Sequence, residues 1–284
     1  MHSSSVPKEA ITIYNSALDL SNRKEYESAL REYTRAIEIH PGFIEAYNNM
    51  GEIYSRLGQK KNAISSYMEA LKIERNHRVL LNLGVEHYNN FNYESALKFF
   101  LESLGEQPDF LEGNFYAGLV YYNFRNLLEA QKYFNAVVAA DRKHIKANYL
   151  LAYIYYEFKD YRNTLACLDN IKDIADDISF INKYYGFCYY HLGMYDKAVK
   201  FLTTALENIP QYAKFKEYLL GLTYENKLRE IGNVDKAIRD LEAKIMKDKP
   251  NIQEATRLSM LYIFKGKNKE AEDLLVSMKK RLAS

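Results

Sequence analysis

Small residues recur along this chain at an almost fixed interval: Ala17, Gly51, Gly84, Gly118, Ala152, Gly186, Gly221 and Ser259. A second series, Ala29, Ala63, Ala96, Ala130, Ala198, Ala237 and Ala271, keeps step with the first, with Thr164 as its weak member. Proline closes several of the intervals, at Pro41, Pro108, Pro210 and Pro250. A repeat of this length means copies of one supersecondary unit, and none of them can bury its apolar face alone. Neighbouring copies must therefore stack, which rules out an ordinary globular core.

Eight units begin near Ala10, Ile44, His77, Leu111, Ile145, Ser179, Lys214 and Ile252, in steps of 34, 33, 34, 34, 34, 35 and 38 residues. Within each, apolar residues follow an i, i+3, i+4, i+7 pattern, then a short polar turn, then a second helical pattern. The turns read "LGQK", "NFNY", "FKDY", "LGMY" and "KGKN", rich in the Gly, Asn and Lys that reverse a chain. Residue positions below are counted as places from the start of each unit. Place 8 holds the small residue that lets the two helices approach. Large residues such as Tyr33, Tyr67, Phe100 and Phe134 are expected to fill the space between units.

This pattern resembles the tetratricopeptide repeat (TPR) over roughly residues 10–282, after a disordered segment 1–9. The resemblance implies an all-α, right-handed superhelix (an α-solenoid) of about eight helix-turn-helix repeats. Tyr121–Tyr122, Tyr155–Tyr156 and Tyr189–Tyr190 are adjacent pairs spaced by 34 residues. The first of each pair, at place 11 with Tyr54, Tyr224 and Tyr262, extends the apolar stripe and is expected in the core. The second, at place 12, is turned about 100° away.

In the TPR family, places 2, 5, 9, 12 and 13 of the first helix line the concave face where partners bind. Transferred to this chain, those places put Tyr88, Phe115, Tyr122, Tyr149, Tyr153, Tyr156, Phe187 and Tyr190 on a groove for a peptide or amphipathic helix of a partner protein. Rigid rings with polar tips are the residue type that dominates binding hot spots. The alternative for place 12 is that these tyrosines pack first helix on first helix. Asn49 and Asn82, at place 6 of consecutive units, resemble two rungs of the asparagine ladder in the TPR region of O-GlcNAc transferase, where amides bind peptide backbone. Later units carry Tyr116, Leu150, Tyr184, Leu219 and Arg257 there.

Other functions find little support. The two-carboxylate clamp with which some TPR domains hold the C-terminus of Hsp70 or Hsp90 needs Lys, Asn, Asn, Lys and Arg at places that here read Tyr14, Leu18, Asn49, Arg78 and Asn82, a single match in order. A formal charge of +2 is far from the basic excess of a nucleic-acid binder. The residues after 226 are mildly basic, with 14 Lys and Arg against 9 Asp and Glu. There is no phosphate-cradling glycine loop, HExxH or Cys/His metal spacing, so neither enzyme activity, cofactor nor metal is expected. Cys167 and Cys188 make no disulfide framework. With no apolar run long enough for a membrane span and no signal-like N-terminus, the expectation is a cytoplasmic protein, the alternative being one whose export segment has been removed. The function so read is a non-catalytic interaction scaffold. A self-associating structural protein, or a regulatory or substrate-presenting subunit of a larger enzyme complex, is the alternative.

Two units are irregular. Unit 5 has Thr164 for Ala and is expected to stack less closely. Unit 7 has about four extra residues within "ENKLREIGNVDKAI", one helical turn, read as a longer helix or turn or as a change of superhelix direction.

Overall fold

The structure, a computed structural model, describes residues 6–207, 234–247 and 252–282. Among these are fifteen α-helices and no strand. The chain divides into two compact units, 1–141 and 142–284.

The N-terminal unit is four hairpins: α1 (Lys8–Asn22) with α2 (Tyr26–Ile39), α3 (Ile44–Arg56) with α4 (Lys60–Ile73), α5 (His77–Asn89) with α6 (Tyr93–Glu106), and α7 (Leu111–Asn123) with α8 (Leu127–Ala140). Each second helix packs on the first helix of the next hairpin, the solenoid arrangement. Helix α1 opens at Lys8, and Val6 packs on the first core cluster.

The C-terminal unit repeats the scheme with α9 (Ile145–Glu157) and α10 (Tyr161–Ile171), then α11 (Ile178–His191) and α12 (Tyr195–Glu207). The irregular stretch of unit 7 and its expected first helix lie outside the described residues. Its second helix, α13 (Val234–Lys247), packs on α14 (Ile252–Phe264), which pairs with α15 (Asn268–Leu282). Helix α12 packs directly on α14 and α15, so the last hairpin stacks on the sixth. Phe187 and Leu202 share one core cluster there with Ala255, Leu258, Leu275 and Met278.

The turns within hairpins are built alike. Place 15 is left-handed in all seven described hairpins: Lys24, Gly58, Phe91, Arg125, Lys159, Gly193 and Gly266, with φ between 59° and 74°. The next residue's N–H reaches back to the place-11 carbonyl, as from Gln59 to Tyr54 (2.8 Å) and Asn126 to Tyr121 (2.9 Å). This is the Schellman closure, which satisfies carbonyls the helix end would leave bare. Three second helices then start under a side-chain cap, which α2 and α4 lack: Asn92 accepts from the Ser95 N–H, Asn126 from Glu129 and Asp160 from Asn163.

The place-8 residues seat the large second-helix residues of their own hairpin. A Cβ on Gly84 would fall 2.5 Å from Cε1 of Phe100, and one on Gly118 2.7 Å from Cε1 of Phe134. The large rings therefore pack first within a hairpin. The Phe100 ring also reaches the next one, stacking on Tyr116 at 5.3 Å.

The buried stripe differs from the expected one. Place 10 is core: Ile53, Val120, Ile154 and Cys188 are at most 1% exposed. The place-11 tyrosines Tyr54, Tyr121, Tyr155 and Tyr189 are half-buried, and Tyr262 is the buried member of that series. Two of them lie flat on a ring of their own second helix, Tyr121 on Tyr133 at 5.4 Å and 13° and Tyr189 on Phe201 at 5.4 Å and 24°. The reason is that a first helix also touches the next first helix, as α3 does α5 and α5 does α7, which rotates its buried arc from place 11 towards place 10.

Unit 5 keeps Thr164 fully buried, its hydroxyl donating to the Asp160 carbonyl at 2.9 Å. Helix α10 has 11 residues where α4, α6 and α8 have 14.

Candidate partner-binding surface

In the N-terminal unit the first-helix residues at places 5, 6 and 9 form a polar cluster. Asn49 Nδ2 donates to the hydroxyls of Tyr14 (2.9 Å) and Tyr33 (3.3 Å). Asn82 Nδ2 donates to Asn48 Oδ1 (2.9 Å) and Glu52 Oε1 (3.2 Å), and Asn48 Nδ2 to the same Glu52 oxygen (2.9 Å). The amide donors of both expected ladder residues are thus engaged within the protein. Desolvation pushes the Tyr33 hydroxyl up to about 12 against the opposing Asn49 hydrogen bond.

Further along, the Tyr88 ring packs on Tyr93 (5.3 Å) and Tyr116 (6.1 Å), and its hydroxyl accepts from Asn123 Nδ2 at 3.1 Å. Burial raises the Tyr88 hydroxyl, opposed by that bond. Phe115 lies half-buried, 5.9 Å from the Phe134 ring. Tyr122 is buried, at 7% exposure.

In the C-terminal unit the same places are more enclosed. Tyr149 and Tyr153 are 7% exposed and Phe187 1%. Tyr149 meets the edge of Phe180 at 4.9 Å. Tyr156 packs on Tyr184 (5.2 Å), Phe187 (6.1 Å) and Tyr161 (5.8 Å), with its hydroxyl 3.4 Å from His191 Nε2. Tyr190 is half-buried beside His191.

The expected open aromatic strip is therefore corrected. Tyr122, Tyr149, Tyr153 and Phe187 are enclosed: Tyr149 meets Phe180 of α11, and Phe187 enters the cluster formed with α14 and α15. Asn49, Asn82, Tyr88, Phe115, Tyr156 and Tyr190 keep part of their surface. Tyr88 and Tyr156 also bridge consecutive first helices.

Two features went unread in the sequence. Lys183, at place 5, is 3% exposed with Nζ 5.0 Å from the Tyr184 ring centre, and desolvation drives its ammonium well below the usual lysine range, opposed by Asp177. Place 4 carries a buried asparagine series, Asn114, Asn148 and Asn182. Asn114 Nδ2 donates to the carbonyls of Pro108 and Phe110, and Asn148 Nδ2 to those of Arg142 and His144, all at 3.0 Å. Their 34-residue spacing was the signal available.

Among the described residues no group of three His, Cys, Asp or Glu is placed to hold a metal ion, and no helix is long and apolar enough to cross a membrane.

Stacked helical hairpins with a small-residue seam define an α-solenoid of the protein-interaction class. Tetratricopeptide-repeat models match residues 22–58, 44–77, 115–163 and 184–212. The chain is a tetratricopeptide-repeat protein. No curated protein matches it. Among solved structures it is similar to PilF of Pseudomonas aeruginosa (TM-score 0.61, 20% identity, 73% of this chain and 96% of that one). It is similar also to YrrB (0.50, 27%, 61% and 89%) and to MamA of Desulfovibrio magneticus RS-1 (0.52, 19%, 60% and 97%).

Proposed function

We propose that this chain is a non-catalytic adaptor that holds a peptide or short helix of a partner protein on the first-helix face of its N-terminal unit. The carrying observation is the pairing of two part-exposed rings, Tyr88 and Phe115, with the part-exposed polar cluster of Asn48, Glu52 and Asn82. Tyr88 is held by two rings and a hydroxyl bond, so a ligand meets a surface with little conformational freedom left to lose. Apolar side chains would lie on the rings, and donors from the ligand on the Glu52 carboxylate. The likeness to YrrB, described as a TPR protein with an unusual peptide-binding site, supports a peptide as the ligand class.

Peptides selected from a displayed random library on the full chain test this. A selected peptide should lose about five- to a hundredfold in affinity on Tyr88→Ala or Phe115→Ala, the cost of truncating a hot spot. Unchanged affinity in both variants, each verified to melt cooperatively, would move the binding face elsewhere.

A further inference from the structure

A cavity of about 350 Å3 opens between the end of α10, α11 and α12. Three rings wall it. Tyr185 and Phe201 are centred 4.8 Å apart, Tyr189 and Phe201 5.4 Å, and Tyr185 and Tyr189 6.1 Å, with interplanar angles of 14° to 24°. Asp169 and Asp173 line it from the last turn of α10 and just beyond, with Lys172 between them. Asp169 accepts a hydrogen bond from the Tyr185 hydroxyl at 2.5 Å, which fixes the ring against the carboxylate.

Asn182 sets this cavity apart. It lines the space, it is only 8% exposed, and its side chain makes no hydrogen bond to any described residue. Its counterparts Asn114 and Asn148 both hold two carbonyls of the preceding loop. Before Asn182 that loop is different, because α10 stops at Ile171 and the chain turns through residues 172–177. The Asn182 amide is thus uncommitted to any loop carbonyl and opens on the cavity, where a ligand can bond to it.

We propose that this cavity binds an arginine side chain presented by a protein partner. A guanidinium is planar and weakly hydrated; it stacks on ring faces while its N–H fork meets carboxylates and amide oxygens. Here stacked rings, two carboxylates and the Asn182 oxygen converge on one space. An anion would be repelled by Asp169 and Asp173, and an apolar group would leave Asn182 unbonded. The ring faces already attract cations: Lys197 Nζ lies 5.2 Å from the Tyr189 centre. Asp169 is paired with Lys172 at 3.1 Å, but both side chains are about half exposed, and such pairs are weak enough for an incoming guanidinium to displace. The cavity uses places 4, 7 and 11, a different helix face from Tyr88 and Phe115. It rests on the adaptor reading only for the source of the arginine.

Titration of the full chain with N-acetyl-arginine amide, followed by NMR at the Asn182 side-chain amide, tests the site without any partner. The probe should shift that amide, Asp169→Asn and Asp173→Asn should each weaken it by about five- to tenfold, and Asn182→Leu, followed at the backbone amides of Tyr185 and Tyr189, should do the same. The two aspartate changes are on exposed or rim positions and leave the fold intact for the comparison. N-acetyl-lysine amide should bind more weakly than the arginine probe. No shift at Asn182, an equal response in the double aspartate variant, or equal binding of the two probes would overturn the proposal. Tighter binding of free arginine than of the blocked probe would overturn the protein-borne source.

Discussion

Gly51 lies against the face of Tyr67: a Cβ on Gly51 would stand 2.4 Å from Cε1 of that ring. The same contact joins Gly84 to Phe100 and Gly118 to Phe134, so the period that first marks the sequence is the period of this close approach. Alanine is the better helix former by up to about 1 kcal/mol, yet a methyl here must displace a buried ring. Gly84→Ala is therefore expected to lower stability by about 1–3 kcal/mol in urea unfolding. Gly105→Ala is the control. It lies in α6 with nothing within 4 Å of the added Cβ, and it should gain about 0.5–1 kcal/mol.

The loops before α7 and α9 depend on one side chain each. Asn148 is fully buried, donates to the Arg142 and His144 carbonyls, and accepts from Asn170 Nδ2 at 2.9 Å. Asn148→Leu removes all three bonds and strands polar groups, a loss of about 2–4 kcal/mol in chemical denaturation. Asn182→Leu removes none, so its midpoint should move little or upward. Equal losses at the two positions would contradict the different roles assigned to them.

What the sequence revealed follows the strength of the physical constraint. The place-8 series is legible because the close approach of the two helices leaves room only for Gly, Ala or Ser, and the unit boundaries follow from it. The face assignment within a helix was less legible. Places 10 and 11 are one residue apart, both mostly large, and which one is buried depends on how closely the next first helix packs. That is a property of neighbours, as Tyr121 and Val120 show by their different burial. Enclosure of Phe187 was unreadable for the same reason: it arises from the last hairpin stacking on α12, a long-range contact no local pattern encodes. The Asn114, Asn148 and Asn182 series was readable but hidden, because a polar residue on an apolar stripe looks like noise until its loop carbonyls are seen.

Burial sets the alkaline behaviour. Cys167 and Cys188 are both pushed up to about 12, chiefly by desolvation, so neither thiolate forms at neutral pH. Disulfide exchange with an aromatic disulfide reagent should be slow in the native protein at pH 8 and fast in urea. Tyr33 is raised from about 10 to about 12, and Tyr88, Tyr116 and Tyr156 are raised by the same cause. A raised folded value means the stabilisation is complete below pH 10 and is lost as pH climbs towards 12. Unfolding midpoints should fall over that window, and tyrosinate absorbance should develop later in the native chain than in the unfolded one.

Glu86 occupies place 10, where Ile53, Val120 and Ile154 fill the seam between first helices. It is 4% exposed, and its carboxylate accepts from the Ser55 hydroxyl of the preceding hairpin. A carboxyl group in an apolar seam is held at a desolvation cost that one hydroxyl does not fully offset. Replacing it with an apolar residue of the kind most other hairpins carry there, such as the valine of α7, should therefore help, provided Ser55, which is part-exposed, can turn to water. Glu86→Val is expected to raise stability by about 1–2 kcal/mol in urea unfolding, while Ser55→Ala alone lowers it by about 1–2 kcal/mol by leaving the carboxylate without its donor. If Glu86→Val is instead destabilising by a similar amount, the Ser55 bond fixes the register of α3 on α5.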